Sequence, residues 1–160
     1  AFALCPSNRK TNLRFFHRAL PEEGEYFDLV LVIDVVEHVD DYIGFLKALR
    51  PTGRQTIFRI PLNVSVQSVL FKSGPMLGAR RDFGHIHYFT RETALATLYD
   101  TGYRVIDLRY SYGPVSPVFL GWRQYLPKAA KKTLSLLSPP WVARLLDGFS
   151  LLILTEPQNR

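Results

Sequence analysis

The chain of 160 residues holds one cysteine, Cys5. A lone thiol excludes an internal disulfide and fits a reducing, cytoplasmic compartment. Long apolar runs are missing as well, and none approaches the ~20 residues that a membrane span requires. No secretory leader pattern opens the chain. Methionine is nearly absent: the first residue is Ala1 and the only methionine is Met76, so we expect a processed or truncated chain. Runs of like charge never exceed two residues, which leaves a nucleic-acid-binding tail unsupported.

What remains is ordinary in bulk. A hydrophobic fraction of 47% and a charged fraction of 21% are those of a soluble globular protein with one domain and a real core. The net charge of +6 is placed unevenly. Residues 1–60 carry eight basic and eight acidic side chains, whereas residues 61–160 carry twelve and six. A basic half attracts an anionic substrate, a phospholipid surface or nucleic acid. A plain solvated basic surface is the simpler account.

Periodicity outlines the elements. Leu13 to Phe16 is a short β-prone run near His17. Phe27 to Asp34 is the strongest strand, and its continuous apolar run reads as a parallel strand buried on both faces. A helix follows, with an Asp of the 40–41 pair as N-cap and Tyr42, Ile43, Phe45, Leu46 and Leu49 at helical spacing. Pro51-Thr52-Gly53 stops it, and Arg54 to Leu62 is the next strand, with Pro61 near its end. Val64 to Phe71 reads as a short helix and Lys72 to Phe83 as a mobile loop. Thr90 caps a helix running to about Asp100, although Thr90-x-x-Thr93 lacks the Glu of a full capping box. Gly102 ends that helix and Tyr103 to Tyr110 is a third strand. Prolines break residues 113–140, where Lys128 to Leu137 has the spacing of a basic amphipathic helix. Trp141 to Leu146 is helical and Gly148 to Leu154 closes the chain as a strand. Strands alternating with helices indicate an α/β sheet.

Two clusters carry chemistry. Asp34-x-x-Glu37-His38 sits where a strand ends, and ligands of open α/β sheets bind beyond such ends. A Glu-His pair at that place suits a divalent cation; a capping network for the following helix accounts for it as well. The second cluster is Asp82-Phe83-Gly84-His85-Ile86-His87-Tyr88. Two histidines two apart point the same way if extended, which makes them a candidate metal pair or a general base and its neighbour. Arg80-Arg81 has the chemistry of an anion clamp, and a solvated loop is the plain alternative. Cys5 reads as a small hydrophobe.

These segments resemble a family. Tyr26 to Asp41 resembles the fourth strand and following loop of class I S-adenosylmethionine-dependent methyltransferases, in the subgroup with a Glu-His loop. Gly84-His85-Ile86-His87-Tyr88-Phe89-Thr90 resembles that subgroup's segment before a helix and the sixth strand. Gly102 to Ile106 is similar to that helix end and strand, and Gly148 to Leu154 to the antiparallel seventh strand. The resemblance implies the C-terminal part of a Rossmann-like, mostly parallel sheet with a final antiparallel strand. It implies one partial domain over residues 1–160, with a substrate-side insertion at 64–88 and an irregular helical region at 113–147. Asp34, Val35 and Val36 would line the methyl-donor pocket. His38 and His85 would be catalytic, and Glu37, His38 and His85 would hold a divalent cation if one binds. S-adenosylmethionine would be the cofactor. The acceptor would be a small or lipid-like molecule, an anionic one included, and the basic, apolar stretch around Lys128 to Trp141 allows peripheral membrane contact.

The departures from the family are as informative. Its cofactor is gripped by a glycine-rich loop, where the backbone must approach the ligand closely. This chain has no Gly-x-Gly. The acid after the second strand has no counterpart, and Arg18 and Ala19 stand where an acid often follows the third strand, unless Glu22 or Glu23 supplies it. The expectation is therefore a methyltransferase lacking its first glycine-rich βαβ unit and inactive as it stands, with an open, apolar sheet edge. A methyltransferase-like scaffold without catalysis is the alternative, and a metal hydrolase built on Asp34, Glu37, His38 and His85 is a distant third.

Overall fold

Apolar residues alternate through the strands, and this alternation sorts the sheet into a covered face and an open one. A computed structural model describes residues 17–18, 20–22, 24–70, 74–112, 139–146 and 148–158. The strands are β1 (Phe27–Ile33), β2 (Gly53–Leu62), β3 (Tyr103–Tyr112) and β4 (Phe149–Pro157). The helices are α1 (Tyr42–Leu49), α2 (Val66–Leu70), α3 (Gly74–Phe83), α4 (Arg91–Asp100) and α5 (Pro139–Leu145). The expected strand at Leu13 to Phe16 and the amphipathic stretch at Lys128 to Leu137 lie outside the described residues.

The strand order is β1-β2-β4-β3. β1 pairs parallel with β2, while β4 runs antiparallel between β2 and β3. The closing strand is thus inserted inside the sheet rather than added at its edge. Val32, Phe58, Ile153 and Leu108 fall on one rung by register. With Ile60, Leu151 and Phe149 they form a single core, covered by Leu46 and Leu49 of α1, Ala94 and Leu98 of α4, and Val142 and Ala143 of α5. Tyr103 starts β3 inside this core, and its hydroxyl donates to the Leu46 carbonyl at 3.0 Å.

The opposite face is different. Leu29, Leu31 and Ile33 of β1 are 47%, 61% and 43% exposed. β1 is also the terminal strand of the described sheet. The expectation that this run is buried on both faces is therefore corrected. Its inner residues Val30 and Val32 pack inward, and its outer residues meet no covering layer among the described residues. An apolar strand edge of this kind is the one expected of a sheet that lacks neighbouring strands.

Local chemistry explains most boundaries. The Asp41 side chain accepts from Gly44 N at 2.8 Å and caps α1. A 3-10 turn over Arg50–Thr52 ends it at Pro51. Gly102 adopts φ +87° after α4, a conformation that costs glycine nothing. The Lys72 to Phe83 stretch, expected as a loop, is instead the helix α3 from Gly74 onward. Pro75 falls in the first turn, where a missing N–H costs no hydrogen bond, and Met76 to Arg81 is rich in helix formers.

Candidate metal centre at the end of the first strand

The chain leaves β1 through an unusual residue. Asp34 holds φ +52°, left-handed for a side chain with a Cβ. Two ties to β2 keep it there: its N–H donates to the Arg59 carbonyl at 3.1 Å, and its carboxylate pairs with the Arg59 guanidinium. Strain of this kind persists where the surroundings over-determine it. A 3-10 turn over Val36–His38 follows. The Val36 side chain enters the core, and the Val35 carbonyl accepts from His38 N at 2.9 Å.

This turn drives Glu37 inward. The residue is 0% exposed, and neither Oε1 nor Oε2 has a hydrogen-bond partner. A buried carboxylate without partners is costly, so the neutral form gains. Burial pushes Glu37 up to about 7, and the nearby Asp34 carboxylate adds to the rise. The Glu37 main chain is tied instead. Its carbonyl accepts from Ile86 N at 2.9 Å and His87 N at 3.2 Å, which staples the 84–88 segment across the turn.

Two imidazoles complete the cluster. His38 Nδ1 lies 3.2 Å from the Gly84 carbonyl and must donate to it. That leaves Nε2 bare in the neutral ring, 3.9 Å from Glu37 Oε1. Gly84 takes φ +75° at this bend. His85 Nε2 stands 4.0 Å from the same Oε1, and its Nδ1 is 2.9 Å from Asn63 Nδ2. Burial lowers the His85 pKa, with the His38 ring as a second cause. The two rings meet edge-on with centroids 4.9 Å apart. The candidate ligand atoms of Glu37, His38 and His85 all lie within 4.8 Å of one another.

The sequence cluster is thus divided. His38 and His85 come together, while His87 turns away and donates Nε2–H to the Val39 carbonyl at 2.9 Å. Residues 84–90 are not a strand, so spacing by two does not align these histidines. Asp34 is close but committed to Arg59, so a metal site using all four residues loses one ligand. Arg80 and Arg81 lie exposed on α3, where Arg81 pairs with Asp82 at 2.8 Å. Arg18 pairs with Glu22 and Glu25.

No protein-family model matches the chain, and no curated protein sequence matches it. Solved structures do. A proposed methyltransferase from Bacillus halodurans aligns with a TM-score of 0.55 and 14% identity, over 84% of this chain and 66% of that one. An S-adenosylmethionine-dependent methyltransferase from Archaeoglobus fulgidus aligns at 0.47 and 15%, over 82% and 59%. The magnesium protoporphyrin IX methyltransferase of Synechocystis aligns at 0.46 and 14%, over 83% and 46%. The chain has the class I methyltransferase fold.

In that methyltransferase fold the cluster occupies the carboxyl end of β1, where the sheet presents ligands. The chain spans 66% or less of each of these three structures. Two residues with a role in the cluster carry no motif: Arg59 and Asn63. Arg59 was visible only as a charge among the apolar residues Ile57 to Leu62. Asn63 follows that strand directly, and its partner His85 is 22 residues away.

Proposed function

We propose that this site serves methyl transfer from S-adenosylmethionine to a nucleophile on a small or lipid-like acceptor. The observation that supports it best is the cluster of Glu37, His38 and His85 at the strand end of a methyltransferase fold. In the reaction an acceptor oxygen bonds the methyl carbon as the sulfur–carbon bond breaks. The sulfonium becomes a neutral thioether and the acceptor gives up its proton. We assign that proton to His38 Nε2, the ring nitrogen left bare by the bond to Gly84 and the one cluster member at the surface. Asp34, Val35 and Val36 line the donor side in this reading. Holding donor and acceptor in line is the larger share of the work.

The donor set also fits a divalent cation. An orphaned buried carboxylate beside two imidazoles suits an ion, and His38 is oriented for it by donating Nδ1–H to the Gly84 carbonyl. His85 Nδ1 accepts from Asn63 Nδ2, so its Nε2 would be free for an ion only with the Asn63 amide turned to present Oδ1. Glu37, His38 and His85 would hold the ion; His38 Nε2 would then be a ligand rather than the base, and the acceptor proton would pass to solvent. Its chemistry there would be Lewis-acid polarisation of the acceptor oxygen. In chelator-treated protein, manganese or zinc should raise the unfolding midpoint, by about 3 kcal/mol at a hundredfold excess over the dissociation constant. Glu37→Gln and His85→Ala should lose that gain and His87→Ala should keep it. An unchanged midpoint in the unaltered chain disposes of the metal.

The cofactor grip is the missing part. With no Gly-x-Gly and an open β1 face, the reading has the glycine-rich unit supplied by polypeptide beyond these residues and seated on Leu29, Leu31 and Ile33. The 160 residues alone should neither bind S-adenosylmethionine tightly nor turn over. Joined to the polypeptide encoded upstream of Ala1, they should do both. His38→Ala should then slow turnover about a hundredfold or more with donor binding retained. Absence of donor binding in the joined protein would favour a methyltransferase-like scaffold, a reading that Arg18, locked to Glu22 and Glu25, already supports.

A further inference from the structure

Three short helices show the same local pattern on their exposed sides. Residues three and four apart lie on one helix face. On α2 that face presents Val66, Val69 and Leu70, the last 71% exposed. On α3 it presents Leu77, Arg80 and Arg81. On α5 it presents Trp141, 63% exposed, with Arg144 and Leu145. The helices are neighbours, because α2 packs against both α3 and α5. A groove of about 400 Å³ opens between α2, the start of α4 and α5, walled by Val66, Val69, Leu70, Pro140 and Ala143.

The pattern excludes a plain solvated surface, which would not expose six large apolar side chains on adjoining helices. The charge on this face is basic. Arg80 has no ion-pair partner among the described residues, Arg81 pairs with Asp82, and Arg144 pairs with Glu92 while its Cζ lies 5.3 Å over the Trp141 ring. Exposed leucines and valines with a tryptophan and flanking arginines form the composition of an interfacial surface: the apolar groups enter the acyl boundary, Trp sits at the headgroups and cations meet lipid phosphates. The groove itself is rimmed by Arg91 and Arg144, with Glu92 as the one acid among its lining residues.

We propose that the α2–α3–α5 face docks this protein on an anionic lipid bilayer, with Leu70, Val69 and Trp141 entering the headgroup layer and Arg80 and Arg81 meeting lipid phosphates. The proposal does not depend on the reaction assigned above. The test is flotation of the whole chain with phosphatidylcholine vesicles, with and without phosphatidylglycerol. In a Trp122→Phe background Trp141 is the only tryptophan, so its emission reports insertion directly.

The expected result is flotation with the anionic vesicles, at least about tenfold stronger than with neutral ones, and a blue shift of Trp141 emission. Val69→Ser with Leu70→Ser should abolish the blue shift. Arg80→Glu with Arg81→Glu should weaken flotation more than tenfold, and should do so less at high salt. All four positions are exposed, and unchanged circular dichroism confirms that each variant folds. No flotation, equal flotation with neutral vesicles, or variants that float like the parent would overturn the proposal. Binding of a soluble fatty acid in the groove without flotation would overturn it too, in favour of a single-ligand site.

Discussion

Glu37 is the residue on which the site turns. Its carboxyl is pushed from 4.5 to about 7, chiefly by burial. The folded state therefore keeps a proton that the unfolded chain releases near the ordinary carboxylate value. Stability is highest below that value, falls as pH rises through this window, and carries the full deficit above about 7. At ~1.4 kcal/mol per unit the deficit is about 3 kcal/mol. In chelator, Glu37→Gln should remove this slope and be the more stable protein at alkaline pH, by up to that amount. Urea unfolding across pH checks it, and parallel curves for the two proteins would sink it. Asp34 shows the complementary case. Its left-handed backbone and its bond to Arg59 were invisible in the sequence, where it looked like the first member of a ligand set. Which of several nearby acids is free depends on who stands opposite, and Arg59 is 25 positions away.

At the scale of elements, local chemistry was largely legible. The strand runs, the Asp41 cap and the Gly102 stop follow from side-chain spacing and backbone freedom. The capping box of α4 was underread. Thr93 replaces the usual Glu: its hydroxyl accepts from Thr90 N at 2.9 Å, while Thr90 Oγ1 accepts from Thr93 N at 3.1 Å. Both ends of a short polar side chain suffice when the turn is tight. Thr90→Ala should cost about 1 kcal/mol, whereas Thr93→Glu should leave stability unchanged or raise it. Thermal unfolding of the two variants decides this, and a neutral Thr90→Ala contradicts the assignment of the cap. α3 was misread because Gly74, Pro75 and Gly78 count as breakers by composition. Position matters more, since a proline in the first turn forfeits nothing.

At the scale of the whole molecule, a one-sided sheet is the dominant fact. Helices α1, α4 and α5 cover one face, and the other presents Leu29, Leu31 and Ile33 beside a strand edge that no described residue pairs. Such a surface binds hydrophobic dye and pairs with other edges. The chain alone should enhance dye fluorescence and sediment above the monomer, and Leu31→Lys should reduce both severalfold while preserving the circular dichroism spectrum. A parent chain that is monomeric and dye-silent would mean that this face is already covered.

The α/β class, the strands and most of the helices, and the presence of acid and imidazole groups at a strand end are legible in the amino-acid order. Those properties depend on neighbours within a few residues: alternation, helical spacing, caps and turn glycines. The folded chain sets what that order does not: β4 inserts between β2 and β3, and His85 joins Glu37 and His38 while His87 does not. It alone decided that Arg59 removes Asp34 from the cluster and that one apolar face stays open. Each of these rests on contacts between residues far apart in the chain, and no local pattern records which distant side chain will be opposite.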